Sequence, residues 1–221
     1  MVEWKKLGEQ LDYEQPTPYL VKSTEYDNSF DVPVLTAGHS LLLGYTNEKE
    51  GVFKASKDNP TIIFDDFTTS FHWIDFEFKV KSSAMKMLRP KNGVNFRYVY
   101  YSMCGINFIP SGHQRHWISK YSHFQIPIPS LSEQTRIVSI LDTFTASIDN
   151  LKKQIAERRK QYEYERDQLL DLEGKEGVEM KTLGEVGDIC MCKRIMKNQT
   201  SDTGDIPFFK IGTFGGKADA Y

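Results

Sequence analysis

The most regular pattern of apolar and polar residues in the chain runs from Ile137 to Leu172. Apolar or aromatic residues recur alternately every four and three positions, and only Arg158 and Glu165 interrupt the series. We call the nine apolar members the helix seam: Ile137, Leu141, Phe144, Ile148, Leu151, Ile155, Tyr162, Leu169 and Leu172. Mostly polar residues separate them, which is typical of a long helix that packs against another helix. We predict one helix over 132–172, about 60 Å long at about 1.5 Å per residue. The alternative, a surface helix of one domain, seldom exceeds about 25 residues without caps.

Upstream of this helix, the pattern is mostly that of strands. Thr61–Phe64 is a short apolar run, and Trp73–Val80 alternates apolar with polar residues. We therefore predict one strand over 73–80 that places four side chains on one face, namely those of Ile74, Phe76, Phe78 and Val80. Further predicted elements are strands at Ala84–Leu88 and Tyr121–Ile128 and a short helix at Asn95–Met103. The predicted fold class is α/β (α+β), followed by a long coiled-coil-forming α-helix.

The start of the chain is repeated near its end. Val2–Glu9 and Val178–Glu185 are identical at six of eight positions. A second match, Asp31–Leu35 with Asp205–Phe209, follows in the same order and at nearly the same offset along the chain. A repeat of this length corresponds to a whole domain with its helix. We therefore expect a first domain over 1–131, the long helix over 132–172, and a linker with the truncated start of a second domain over 173–221.

The junction before the helix carries a recognisable motif. Pro127 and Pro129 precede Ser130-Leu131-Ser132-Glu133, which is a predicted capping box, and Gln134-Thr135-Arg136-Ile137 follows. This junction, together with Arg158–Tyr164 and the duplicated starts, resembles the specificity subunits of type I restriction-modification enzymes. The resemblance implies two target recognition domains that read DNA and two long helices that pair antiparallel and set the distance between two half-sites. The chain departs from that pattern because it lacks most of the second domain and the second helix.

The resemblance also implies which partners and cofactors to expect. The chain would be a non-catalytic recognition subunit that binds double-stranded DNA, adenine methyltransferase subunits and a restriction/translocase subunit. S-adenosylmethionine, ATP and magnesium would be bound only by those partner subunits. Because this chain would supply only one long helix, we expect a homodimer through the helix seam, with a palindromic split site. No signal peptide or long apolar run is present in the sequence, so we expect a cytoplasmic protein without a membrane partner.

One local stretch has the charge that phosphate contacts need. Globally, 28 basic residues nearly balance 30 acidic ones, so net charge indicates no nucleic-acid partner. Between positions 79 and 97, however, there are six basic residues and no acidic one: Lys79, Lys81, Lys86, Arg89, Lys91 and Arg97. We predict that these residues contact the DNA backbone. The alternative is a solvated strand edge, which often carries lysines.

A loop at 111–117 is the predicted source of base contacts. Gln114 and Arg115 have side chains suited to adenine and guanine edges, and His113 and His116 flank them. The alternative interpretation is a polar surface loop. Thr36, His39 and Ser40, after the first apolar strand, are weaker candidates for the same role.

Two other classes of function are open alternatives. Asp66, Glu77 and Lys79 have the spacing of a metal-dependent nuclease, although Phe76 and Phe78 flank Glu77 as in an ordinary strand. A coiled-coil scaffold without a DNA role is the other alternative. No metal site is predicted, because His113, His116 and His123 lack a nearby carboxylate cluster and the three cysteines do not have zinc-site spacing. No glycine-rich cofactor loop or P-loop is present in the sequence.

Overall fold

The computed structural model of the protein describes residues 2–36, 38, 40–110, 112, 114–188, 190, 195–210, 212–213 and 215–221. The chain divides into two compact units, Met1–Glu157 and Arg158–Tyr221. The elements in chain order are β1 (Glu3–Lys6), α1 (Leu7–Gln10), β2 (Leu11–Glu14), β3 (Val32–Leu35), β4 (Leu42–Thr46), β5 (Thr61–Asp65), β6 (Phe71–Ile74), β7 (Lys79–Val80), β8 (Met85–Pro90), α2 (Phe96–Cys104), β9 (Gln125–Ile128), α3 (Leu131–Leu170) and α4 (Leu183–Val186). None of the described helices is long and apolar enough to cross a membrane.

The strands of the first unit form three small sheets. Four antiparallel strands are ordered β2-β8-β5-β6, and β1 pairs with β9. The third sheet has the order β4-β3-β7, in which β3 is antiparallel to β4 and parallel to β7. This mixture of helices and sheets confirms the predicted fold class.

The central strand β5 explains why the apolar run is continuous. Ile62 and Phe64 belong to one buried cluster with Val99 of α2, whereas Ile63 belongs to a second cluster with Phe78. Successive side chains of a strand point to opposite faces, so both faces of the four-stranded sheet are covered. A strand that is buried on both faces has no reason to alternate with polar residues.

The predicted single strand over 73–80 is wrong. β6 ends at Ile74, and β7 consists of Lys79–Val80 and joins the other sheet through a parallel pairing with β3. Phe76 lies between the two strands and is 42% exposed, while Lys79 is buried beside Val80. The chain passes from one sheet to the next here, so a single alternation cannot hold across it.

Most other predicted elements are confirmed. Thr61–Phe64 lies in β5, Ala84–Leu88 overlaps β8, and Asn95 caps α2 by accepting a hydrogen bond from the Tyr98 backbone N–H at 3.2 Å. The predicted strand over 121–128 is correct only in its second half, because residues 121–123 form a 3₁₀ turn before β9.

The predicted long helix is confirmed as α3, which has 40 residues. The Ser130 hydroxyl accepts a hydrogen bond from the Glu133 backbone N–H at 3.4 Å, so this residue serves as the N-cap. The second bond of the predicted capping box would run from the Ser130 backbone N–H to the Glu133 carboxylate. That carboxylate instead accepts two hydrogen bonds from Arg136, at 2.7 and 2.8 Å.

The second unit repeats one local feature of the first. α4 begins at Leu183, the position in the second copy of the repeated segment that matches Leu7, where α1 begins. In both segments a glutamate three positions after the N-cap returns to the N-cap backbone N–H, through Glu9 at 2.9 Å and Glu185 at 2.7 Å. That residues 173–221 begin a second recognition domain stays a prediction.

Candidate nucleic-acid interface

Two of the six predicted phosphate-contacting residues are buried. The side chains of Lys79 and Lys86 are 2% and 1% exposed, and their ammonium groups lie 2.9 Å from Glu48 Oε2 and 3.1 Å from Asp66 Oδ2. Lys79 also donates to the carbonyl of Glu50 at 2.6 Å. A buried ammonium that is already paired cannot reach a phosphate on the surface, so the predicted role is wrong for both lysines.

The buried Lys79 changes the acidity of its partner. Burial alone would raise the pKa of Glu48, but the backbone N–H of Ser23, the Lys79 ammonium and the backbone N–H of Lys22 outweigh burial, and the pKa lies below its ordinary value. The two backbone N–H groups donate to Glu48 Oε1 at 2.7 and 2.9 Å. Glu48 is therefore a fixed anion that holds the start of the loop before β3.

Arg97 is engaged between α2 and α3. Its Nε donates to Asp142 Oδ1 at 2.9 Å, and its guanidinium carbon lies 4.7 Å from the centre of the Trp73 ring. Burial would lower the pKa of Arg97, but Asp142 and Tyr101 raise it above its ordinary value. Tyr101 donates to the same Asp142 oxygen at 2.5 Å. Arg97 thus connects the long helix to the domain, and its role as a phosphate contact stays a prediction.

The remaining three basic residues differ in how many contacts they make within the protein. Arg89 lies 3.6 Å from Glu14 and over the Phe53 ring, and Lys91 donates to the Gly8 carbonyl at 2.7 Å. Lys81 is exposed, and its Nζ lies 5.6 Å from the centre of the Tyr26 ring. Within the described part of the chain, no ion pair engages Lys81, so it is the member of this set that remains available.

The loop before Trp117 presents two of its predicted base-contacting residues to solvent. Gln114 and Arg115 are exposed, and the Ser119 hydroxyl donates to the Arg115 carbonyl at 2.7 Å. His116 is fully buried with its ring 5.5 Å from that of Phe108, so its predicted DNA contact is wrong. His113 and His39 lie outside the described residues, and their roles stay predictions.

Asp66 anchors this loop from inside the domain. Its carboxylate accepts a hydrogen bond from the Trp117 backbone N–H at 2.8 Å, and its backbone carbonyl accepts one from the His116 N–H at 2.8 Å. Trp117 is 2% exposed and packs its ring 5.1 Å from that of Phe64. The exposed pair Gln114–Arg115 therefore immediately precedes two buried residues whose backbone is hydrogen-bonded to Asp66.

The residues of the nuclease alternative are each occupied elsewhere. Asp66 pairs with Lys86, Glu77 with Lys54 at 2.6 Å, and Lys79 with Glu48. Asp66 is 1% exposed, which leaves it no access to a hydrated metal ion. Among the described residues, no group of three or more His, Cys, Asp or Glu could hold a metal ion. Nothing in this geometry supports metal-dependent cleavage.

Sequence reasoning missed the role of Gln134. Its side chain is buried at the start of α3, where its oxygen accepts a hydrogen bond from the Asn95 N–H at 2.9 Å and its nitrogen donates to the Pro129 carbonyl at 2.8 Å. Gln134 thereby ties the N-cap of α2 to the first turn of α3. The available signal was an amide side chain in the first turn of the predicted helix, shortly after the proline pair.

The helix seam is largely uncovered. Phe144, Ile148, Leu151 and Ile155 are between 52% and 62% exposed, and Tyr162 and Leu169 are 66% and 72% exposed. Ile137 and Leu141 are partly buried, because the first turns of α3 contact the domain. An exposed apolar series of this length is typical of a surface that binds another helix.

Comparisons with known proteins agree with the motif at the junction. A family model for the type I restriction modification DNA specificity domain matches residues 1–158. The specificity subunit of the type I restriction enzymes EcoR124I and EcoR124II from Escherichia coli is 52% identical over 201 residues, which is 84% of this chain and 48% of that protein.

A second relative and a solved structure extend the match. The Haemophilus influenzae protein S.HindORF215P, named provisionally as a type I restriction enzyme specificity subunit, is 37% identical over 100% of this chain and 59% of its own length. The chain thus spans about half the length of these two relatives. The crystal structure of the S subunit of a type I restriction-modification system from M. genitalium superposes with a TM-score of 0.61 at 17% identity, covering 100% of this chain and 62% of that one, and shows the shared fold. The chain therefore belongs to the family of type I restriction-modification DNA specificity domains.

Proposed function

We propose that the chain is a sequence-specific DNA-binding part of a type I restriction-modification system and has no chemistry of its own. The observation that carries this proposal is the coincidence of two boundaries. The family match covers residues 1–158, and the first compact unit covers Met1–Glu157. The matched segment thus coincides with one compact unit that includes the first part of α3, and we assign the specificity role of the family to this unit.

Exposed residues in the unit supply the contacts that the proposed function needs. Arg115 can donate two hydrogen bonds to a guanine edge, and Gln114 can donate to and accept from an adenine edge. Lys81 is the backbone contact, and Arg89 and Lys91 join it if their partly exposed groups turn from Glu14 and Asp12 towards phosphate. Thr36 and Ser40, after β3, stay weaker candidates.

The chemistry belongs to partner subunits in this proposal. The chain would bring adenine methyltransferase subunits and a restriction/translocase subunit to a bipartite DNA site. Those partners would bind S-adenosylmethionine, ATP and magnesium. The relatives' names as specificity subunits support this division of labour.

We propose further that α3 pairs with a second long helix through the helix seam. Fully burying a Leu or Ile side chain stabilises a complex by about 1.5–3 kcal/mol, so the exposed seam favours a partner. In a solution of this chain alone, that helix comes from a second copy, and an antiparallel pair would place two identical recognition domains at the two ends. Light scattering at micromolar concentration tests this homodimer. A clean monomer would contradict it, and Leu151→Asp should abolish it.

Selection from a duplex library of randomised sequence tests the DNA proposal. The full 221-residue chain is co-purified with the methyltransferase subunit of its own system, and the bound duplexes are sequenced. We expect one bipartite motif to be enriched and adenine within it to be methylated when S-adenosylmethionine is added. Enrichment of no sequence would contradict the proposal. DNA cleavage by the chain alone with magnesium, lost in Glu77→Ala, would favour the nuclease alternative instead.

A further inference from the structure

In the buried ion pair between Asp66 and Lys86, the aspartate contacts the two residues that follow the exposed pair Gln114–Arg115. Asp66 follows β5, and Lys86 lies on the neighbouring strand β8, so the pair joins two adjacent strands of the four-stranded sheet. Both side chains are at most 2% exposed. Burying an ion pair often adds little stability compared with apolar residues of similar volume. The presence of this pair therefore calls for a role other than stability.

The two carboxylate oxygens of Asp66 are used for different purposes. One faces the Lys86 ammonium at 3.1 Å, and the other accepts the Trp117 backbone N–H at 2.8 Å. Lys86 is itself positioned, because it donates to the Gln15 side-chain oxygen at 3.3 Å and lies 5.4 Å from the centre of the Tyr13 ring. The charge of Lys86 thus orients a carboxylate whose other oxygen holds the backbone of the loop.

In the part of the chain that the structure describes, residues 116 and 117, at the base of the loop, form hydrogen bonds through their backbone groups and not through their own side chains. The His116 N–H donates to the Asp66 carbonyl at 2.8 Å, while neither ring nitrogen of His116 has a hydrogen-bond partner among the described residues. The His116 carbonyl accepts from the backbone N–H of Tyr121 at 2.8 Å and of Lys120 at 3.0 Å. Asp66 thus contacts the backbone of both residue 116 and residue 117, and Arg115 is the exposed residue that immediately precedes them.

We propose that Asp66, oriented by Lys86, is the positioning residue for the base-contacting loop and thereby controls sequence specificity without touching DNA. This inference rests on the proposed function. Its physical basis is geometric: a bidentate contact between Arg115 and a base needs the loop backbone in a single position. The exposed Ser119 hydroxyl donates to the Arg115 carbonyl and is a second, weaker restraint on the loop.

Two double variants separate loop positioning from charge burial. D66N/K86Q removes both charges but keeps a side-chain oxygen for the Trp117 N–H, and the introduced glutamine can accept from the introduced amide. D66L/K86M also removes both charges but leaves the Trp117 N–H without an acceptor. Val99→Ala, in the apolar core at α2, is the control for a general loss of stability.

The measurement is the library selection with each variant, together with binding to non-specific duplex over a range of salt concentrations. We expect D66L/K86M to lose base preference by about tenfold or more at the same positions that Arg115→Ala and Gln114→Ala affect. Its affinity for non-specific duplex and its salt dependence should match the wild type, because the phosphate contacts are unchanged. D66N/K86Q and Val99→Ala should keep the wild-type motif.

Each other outcome has a defined meaning. If D66L/K86M keeps the preference that Arg115→Ala loses, the inference is wrong while the proposed function stands. If the wild type enriches no motif, the proposed function fails and the inference fails with it. If D66L/K86M does not fold, the milder D66A/K86Q carries the test, because it also removes both charges and leaves the Trp117 N–H without its acceptor. A smaller loss at the Arg115-dependent position would support the inference, and a motif identical to the wild type there would contradict it.

Discussion

The basic residues of the first unit occupy two regions with opposite properties. In the interior, Lys79 and Lys86 are buried, and each is paired with a carboxylate. On the surface, Lys81 and Arg115 are exposed. Lys79 and Lys81 are nevertheless near neighbours in the sequence. Positive charge alone therefore does not identify a DNA contact. The environment of each side chain decides whether it pairs with a carboxylate inside the protein or can contact a phosphate or a base.

Removing the interior charge of Lys86 should have the largest effect. Lys86→Met leaves the Asp66 carboxylate buried without its partner, and breaking a buried pair in this way costs about 3–5 kcal/mol. Denaturant unfolding measures the loss, and the matched control Lys81→Met should change the free energy of unfolding by no more than about 0.5 kcal/mol. If both substitutions lowered the free energy of unfolding equally, the buried and the exposed lysines would not differ in their contribution to stability.

Arg97 lies between the two regions and should have an intermediate effect. Its side chain is 24% exposed and donates to Asp142 of α3. Arg97→Met should lower the free energy of unfolding by about 1 kcal/mol, which is below the range of about 1.5–3 kcal/mol for a hydrogen bond to a charged group because both side chains are partly exposed. If instead Arg97→Met leaves stability unchanged and weakens DNA binding at all sequences, then Arg97 belongs with the surface residues.

Lys81 should have the smallest effect, and only on DNA binding. Lys81→Ala should weaken binding to every duplex and lower the slope of log affinity against log salt by about one, because one phosphate contact is lost. Titrations at several salt concentrations measure this slope. Lys79→Ala is the comparison, because Lys79 is buried. Any loss of DNA binding in this variant should match its unfolded fraction, and the slope of log affinity against log salt should stay that of the wild type.

The repeated segment separates what is encoded locally from what needs the rest of the fold. Both copies form a short helix with the same glutamate-to-backbone bond, as local sequence predicts. Leu7, however, is fully buried, whereas Leu183 is 87% exposed. Lys6 and its neighbours pair with β9, and within the described residues of the second unit no strand is paired with positions 179–182. Hydrogen bonds within one turn are predictable from sequence, but burial requires a distant partner.

The same reasoning explains the errors in the predicted site. Glu48 pairs with Lys79 and Asp66 with Lys86, and in both cases whole strands separate the two partners along the chain. No local pattern reports such pairs, so sequence alone places both lysines on the surface. The long helix was predictable because its heptad pattern is local. The loop residues Gln114 and Arg115 were predictable as exposed because they are polar and belong to no regular element.

The most direct test of DNA reading is the discrimination lost in Arg115→Ala. Binding of wild type and variant is measured by fluorescence anisotropy on the selected duplex and on duplexes that each carry one substituted base pair, at fixed salt. We expect the variant to lose about 1–3 kcal/mol of discrimination at one base pair and to match the wild type at the others. A variant that keeps the wild-type preference at every base pair would show that this loop does not read the DNA sequence.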